Sequence, residues 1–412
     1  MLDRILIKNI ASLFSIKASG LIIPLITVPY LVRTLGVEGY GYLGFSLAII
    51  QYSILFVNYG FDLSATSSIA KLKNDKKAIS KIFWSVITIR ILASFLSLIL
   101  ILIISLHIPS LYEVIPIILS SFIMVIGTAL FPQWLFQGKE QLGLISTARS
   151  VLQVLTIPLL FYFVNGHNDI WIAAIINGFP FLGIAIISMF IIRSRNWISW
   201  VKPSLEDIKK EYKDGWHIFI STAAINLYTS SVTVILGFLS GPVSVGYFVA
   251  ADKLIKATLG VYGPVSNAFY PRINAAISVS KENAKKLIIQ LSKIQIIVAL
   301  FLSIGVYFFS DLVVQMLYGD EFKTTISLLK ILCWLPIVIC FSNILGIQIM
   351  IPFGYKKQFS KVLISSGVLS LLLLIPLVLL YGEFGAAYSV VITECIVTLL
   401  MYWSVCKNKI LN

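Results

Sequence analysis

Runs of about twenty consecutive apolar residues recur along the whole chain, and no other feature restricts the fold as much. At 1.5 Å per residue, about 20 residues cross the hydrocarbon core of a bilayer. On that measure the sequence predicts twelve membrane helices, over residues 10–33, 40–66, 82–107, 114–137, 144–165, 170–192, 215–238, 244–269, 288–309, 324–351, 359–381 and 386–406. A soluble domain is typically about a quarter charged, whereas here 12% of 412 residues are charged and 58% are hydrophobic. Such a chain cannot fold as an apolar core under a charged skin. The expected fold class is all-α, integral to a membrane. The first apolar stretch lacks a small-residue cleavage pattern and is too long for a signal-peptide core, so it reads as a retained helix.

The formal net charge of +14 would suggest nucleic acid in a soluble protein. Here it is first a topology signal. With the N-terminus inside, 24 of the 32 basic residues fall on inner segments, against Arg33 and Lys323 outside. The outer segments carry Glu38, Glu113, Asp169, Asp311, Asp320, Glu321 and Glu383 instead. Lys and Arg concentrate in cytoplasmic loops, so both termini are expected in the cytoplasm and no nucleic-acid partner is needed.

The chain also repeats itself. "LGVEGYGYLGFSLAIIQY" starts at Leu35 and "SGPVSVGYFVAADKLIKA" at Ser240, an offset of 205 that is almost half the length. Six helices per half is an even number, which predicts two parallel six-helix lobes about an axis along the membrane normal. The expected division is a lobe over 1–192, a cytoplasmic linker over 193–214 and a second lobe over 215–412. The linker, "RSRNWISWVKPSLEDIKKEYKD", reads as a short amphipathic helix at the membrane surface.

Nine charges remain inside the predicted helices: Lys17, Arg90, Arg149, Lys253, Lys256, Lys330, Asp62, Asp252 and Glu394. Facing lipid near the midplane, they would together cost on the order of 20–30 kcal/mol, more than the about 5–15 kcal/mol by which folded proteins are stable. They must face water, pair, or snorkel. Arg149 and Lys17 lie near the inner edge and have stems long enough to snorkel, and Lys330 is placed to reach the outer surface. Lys256 lies about 18 Å into its helix, one turn from Asp252, so an ion pair is available. Either that pair with a snorkelling Lys253, or a charged stripe of Asp252, Lys253 and Lys256 along a cavity, fits the pattern. Asp62 and Glu394 are candidate proton or cation sites, or counter-ions to a nearby Arg or Lys. An excess of cations in a watery cavity suits an anionic substrate such as phosphate or pyrophosphate.

Prolines punctuate the helices at Pro24, Pro29, Pro132, Pro158, Pro180, Pro264, Pro336 and Pro376, each freeing backbone carbonyls. The four cysteines lie in apolar segments and form neither a disulfide framework nor a metal cluster. No Gly-rich phosphate loop and no nucleophile–base spacing is present, so neither a metal nor a cofactor is expected, and an enzyme is disfavoured.

"RTLGVEGYGYLGFS" after a proline-bent first helix, "GPVSVGYFVAADKL" opening the eighth, and "AFYPRI" at 268–273 resemble the polysaccharide-transporter branch of the multidrug/oligosaccharidyl-lipid/polysaccharide exporters. Within it the chain is most similar to Wzx-type O-antigen flippases, over essentially its whole length. The resemblance implies a flippase of the bacterial inner membrane that moves undecaprenyl-pyrophosphate-linked oligosaccharide between leaflets by alternating access. It also implies coupling to an H+ or Na+ gradient, with membrane lipid and a polysaccharide polymerase as further partners. By helix and depth, the functional charges of such proteins map here to Asp62, Arg90, Asp252, Lys253, Lys256 and Glu394. The rival of the same superfamily is a cation-coupled multidrug antiporter, and its cavity should be acidic. A membrane polysaccharide polymerase or ligase would need a larger outer loop than the longest here, roughly 310–323.

Overall fold

The computed structural model describes residues 4–72, 75–260 and 262–410, with the side chains of residues 4–21, 221, 224, 225, 227, 228 and 262 outside the description. Every regular element is helical, and no strand occurs among the described residues. Nine helices there are long and apolar enough to cross a membrane, as expected of a multi-pass membrane protein. Nine is fewer than the predicted twelve because three predicted pairs run on without a loop. They form the helices Arg4–Asn58, Leu205–Leu259 and Lys356–Lys407, of 55, 55 and 52 residues. Each is more than twice the length that a bilayer needs.

A single glycine does the work of the missing loop in each. Gly36 (φ 70°, ψ 179°), Gly241 (φ 82°, ψ −179°) and Gly382 (φ 55°, ψ −129°) interrupt otherwise helical backbone. The conformation of Gly36 and Gly241 is closed to residues that carry a Cβ. These two glycines stand 205 residues apart, the offset of the sequence repeat. The same offset relates Asp75 to Ser280, the N-caps of helices Lys76–Ser105 and Lys281–Leu317. Asp75 accepts a hydrogen bond from the Ala78 amide, and Ser280 from the Glu282 amide. Each satisfies a donor that the helix itself leaves orphaned.

By packing, the chain divides into two compact units. One runs from Glu38 to Phe238; the other joins Leu239 onward to the residues before Glu38. Both cuts fall within three residues of Gly36 or Gly241, so the helices Arg4–Asn58 and Leu205–Leu259 each pass from one unit to the other near their breaks, whereas Lys356–Lys407 stays within one. The packing therefore groups the chain differently from the predicted 1–192 and 215–412. The repeat decides where helices break; the burial of apolar faces decides which neighbours they take. The first unit is built on Tyr59, Phe61, Phe83, Trp134 and Phe136, and the second on Phe269, Leu291, Ile344, Met350 and Met401.

The segment predicted as a linker behaves differently from its expectation. Residues 205–214 are no separate amphipathic helix but the opening turns of Leu205–Leu259. The irregular stretch before them is pinned within its own unit: Trp84 Nε1 donates to the Ser199 carbonyl at 3.0 Å, and the Ser199 amide donates to Ser80 Oγ at 2.9 Å. Glu211 in these opening turns is buried, and its Oε2 has no hydrogen-bond partner among the described residues. Burial, with Asp214 adding to it, pushes its carboxyl up to about 7.

Two expectations follow. Gly241→Ala meets nothing within 4 Å, so its whole effect is backbone strain, about 1–3 kcal/mol, read as a lower melting temperature in detergent. Glu211 binds its proton more tightly folded than unfolded, so stability is lost as pH rises from its ordinary value near 4.5 through about 7. Glu211→Gln removes that loss, raising the melting temperature clearly at pH 8 and little at pH 5.

Candidate functional site

The charged site of the first unit starts from two interruptions in helix. Pro132 has no N–H to continue a helix and pushes Phe131 out of the helical region, to φ −84° and ψ 106°. Helix Ile123–Leu130 therefore stops and Gln133–Gly138 begins afresh. The break leaves the Thr128 carbonyl without an i+4 amide, because that position is Pro132, and leaves the Phe131 carbonyl only the Gln133 amide at 3.1 Å, so both have room for a further donor. Arg90, on helix Lys76–Ser105, fills that role: its Nη1 donates to the carbonyls of Phe131 at 3.0 Å and Thr128 at 3.3 Å.

The second interruption lies at Tyr59 and Gly60, both at positive φ (46° and 88°), where helix Arg4–Asn58 ends and Phe61–Leu72 begins. It places Asp62 in the first turn of the new helix, where the orphaned amides favour a carboxylate. Arg90 Nη2 donates to Asp62 Oδ1 at 2.7 Å, and the Arg90 guanidinium lies 5.9 Å from the centroid of the Phe61 ring. The pair is asymmetric. The Arg90 side chain is 1% exposed and that of Asp62 38%. Arg90 is thus a fixed cation, and Asp62 is its half-open partner.

Asp62 and Arg90 line a cavity of about 110 Å³ together with Arg149, Asn58, Gln133 and Gln153, space for several waters. Arg149 was expected to snorkel to the inner edge. Instead it lines this cavity, and its side chain makes no ion pair or hydrogen bond among the described residues. Sequence depth could not reveal this, because the cavity is walled by helices distant in sequence. The signal that could have found it is polarity at helical spacing, since Arg149 and Gln153 share a face at i, i+4.

The other predicted residues lie in the second unit. Lys256 Nζ reaches Asp252 Oδ2 at 2.6 Å, the ion pair that their i,i+4 spacing makes available. Lys253 takes no part in the pair and lines a narrow crevice with Pro24, Pro29 and Tyr318. Lys330 Nζ is 2.8 Å from Asp311 Oδ2, which accounts for its charge locally. Glu394 is half-buried, and its side chain has no ion pair or hydrogen bond among the described residues. The side chain of Lys17 lies outside the described residues. Among the described residues no three His, Cys, Asp or Glu side chains converge as metal ligands.

Removing one member of a buried ion pair strands the other. Asp62→Asn is expected to destabilise the protein toward the lower end of the roughly 3–5 kcal/mol seen for such losses, because Asp62 is 38% exposed. Arg90→Met alone strands a carboxylate, and Asp62→Asn with Arg90→Met should recover part of the loss. Chemical denaturation of the three variants in detergent checks this.

The geometry can be set beside known proteins. The family model described as "Polysaccharide biosynthesis protein" matches residues 6–277. A relative from Escherichia coli (strain K12), named "Putative O-antigen transporter", is 40% identical over 98% of this chain and 97% of its own. One of the same name from Shigella dysenteriae is 30% identical over 96% and 98%. Among solved structures, an inward-facing multidrug resistance MATE family transporter of the MOP superfamily superposes with a TM-score of 0.71 at 14% identity, covering 94% of this chain and 95% of its own. A MOP superfamily transporter from Pyrococcus furiosus, described as having a binding pocket of reverse polarity, gives 0.62 at 15% identity, covering 98% and 96%. At such identities these two share the fold alone. The match over most of the chain and the two full-length relatives place this protein in the polysaccharide biosynthesis protein family, the family its glycine–tyrosine motifs resembled.

Proposed function

We propose that this chain is a flippase of the bacterial inner membrane. It carries an undecaprenyl-pyrophosphate-linked oligosaccharide repeat unit, O-antigen or capsular, between leaflets by alternating access of two lobes. The observation that carries this reading is the unpaired Arg149 in a cavity whose other arginine is already held. Arg90 has Nη1 on two carbonyls and Nη2 on Asp62, so Arg149 is the guanidinium left to meet a phosphate oxygen, which it can do bidentately. Two arginines against one aspartate also argue against organic cations as cargo. That separates this reading from a multidrug antiporter of the same fold. The names of the two relatives support a polysaccharide cargo.

The remaining features belong to the same proposal. Taking each glycine-broken helix as two crossings brings the nine to twelve, six per sequence half, and the bias of basic residues favours both termini in the cytoplasm. Coupling to H+ or Na+ is assigned to Glu394 rather than Asp62. Glu394 has no cationic partner among the described residues, whereas Asp62 is committed to Arg90. A polysaccharide polymerase is the partner that would consume the flipped unit.

Deletion of the gene in the native strain should abolish surface polysaccharide and trap lipid-linked repeat units on the inner leaflet, and the wild-type chain should restore the polymer. Arg149→Ala at normal protein level should reduce polymer roughly 10–100-fold, the scale of one charge-assisted contact of about 1.5–3 kcal/mol. Arg149→Lys should restore it in part. Normal polymer in the deletion strain, together with new sensitivity to cationic drugs, would instead identify an efflux antiporter.

A further inference from the structure

Next to the charged cavity in sequence, and within the same unit, a ladder of aromatic rings begins at Phe61. Phe61, which carries the Arg90 guanidinium over its face, lies 5.3 Å from the ring of Tyr59. Tyr59 stacks on Phe219 at 4.7 Å (15° between planes) and on Tyr212 at 4.4 Å (24°). Trp216 stands 6.1 Å from Phe219 and 6.5 Å from Tyr59. The ladder is buried at one end and open at the other. Tyr59 is 5% exposed, but Tyr212 and Trp216 are 47% and 44% exposed.

The arrangement is held at a conformational cost. Tyr59 adopts φ 46°, a left-handed conformation that residues with a Cβ rarely accept. A Cβ at Gly215 would stand 3.0 Å from the Tyr59 ring, so glycine lets the two segments approach more closely than a side chain allows without a shift of the ring. Aromatic residues that merely mark a membrane interface have no need of such bracing. The exposed end has chemistry of its own. Lys209, Tyr212, Lys213 and Trp216 recur at i, i+3, i+4 and i+7 and form one exposed stripe of the helix Leu205–Leu259. Two part-exposed rings thus alternate with two ammonium donors along the stripe.

We infer that Tyr212 and Trp216, braced from below by Tyr59, form a stacking platform for a sugar ring. The C–H face of a pyranose carries partial positive charge and settles on the negative face of an aromatic ring. Its hydroxyls project from the rim, where Lys209 and Lys213 can donate to them. The platform and the cavity share the short break Asn58–Asp62, so one molecule bearing a sugar next to an anionic group can meet both. The inference rests on the proposed carbohydrate cargo and adds where its sugar docks.

The test uses the full chain in nanodiscs. The probes are the repeat-unit oligosaccharide released from the native strain's own polysaccharide and, separately, inorganic pyrophosphate. Trp216→Ala and Tyr212→Ala should each weaken oligosaccharide binding at least about tenfold, the scale of one lost ring-stacking contact, and leave pyrophosphate binding unchanged. Trp216→Phe, which keeps a stacking face, should retain most of it. In the complemented deletion strain Trp216→Ala should lower polymer at normal protein level. Oligosaccharide binding by Trp216→Ala equal to wild type would overturn the platform while leaving the flippase reading intact. A wild-type chain that restores no polymer and binds neither probe would overturn the flippase reading itself. Loss of protein from the membrane in Trp216→Ala, with normal oligosaccharide binding by what remains, would identify the rings as interfacial anchors and refute the platform.

Discussion

The interior of a bilayer supplies no water to an unpaired amide, and this constraint shapes the whole molecule. Every backbone donor and acceptor at membrane depth must find a partner within the protein, which is why the regular structure described is helical throughout. It also makes each interruption of helix chemically consequential. Where Pro132 stops a helix, the Thr128 carbonyl loses its amide and the Phe131 carbonyl keeps only that of Gln133, and Arg90 donates to both. Where Tyr59 and Gly60 stop another, a fresh N-terminus appears and Asp62 sits in its first turn. Arg90, from the middle of a third helix, therefore bridges the two helix breaks at the centre of the candidate site, donating to the carbonyls of one and to the carboxylate of the other.

Because both terminal nitrogens of Arg90 are engaged, the pair is fixed in place without using up the cavity. Arg90 is fully buried, and its terminal nitrogens are committed; Asp62 keeps part of its surface open. The free valence of the site then falls to Arg149 and to the amides of Gln133 and Gln153. In the second unit the charges are settled more locally. Asp252 with Lys256, and Asp311 with Lys330, close ion pairs over short distances, and Glu394 stands apart from any cation among the described residues.

How far this was legible in the sequence can be judged residue by residue. The Asp252–Lys256 pair was readable, since i,i+4 spacing on one helix fixes the geometry by itself. The repeat was readable too, and its offset of 205 recurs in the structure as Gly36 with Gly241 and as Asp75 with Ser280. The pairing of Asp62 with Arg90 was only one option among several, because the two lie on different helices whose facing is set by packing. Arg149 was misjudged: depth along a helix says how far a side chain stands from the edge, not what lies beside it. The turns expected near Gly36, Gly241 and Gly382 appear as single non-helical glycines rather than longer loops, because one glycine at positive φ can break a helix by itself.

Sequence alone determined that this chain is a membrane protein of many helices, which of its loops are basic, and that its two halves repeat. Those properties follow from transfer free energies and local periodicity, which act residue by residue along the chain. Only the tertiary structure decided that two of the long helices pass between units near Gly36 and Gly241, that Arg90 is a buried strut rather than an open contact, and that Arg149 lines a cavity with no ion pair or hydrogen bond among the described residues. Each of these depends on which apolar faces bury against one another across large sequence separations. Such pairings are chosen by shape and by the need to satisfy every buried polar group at once, and no single segment carries that information.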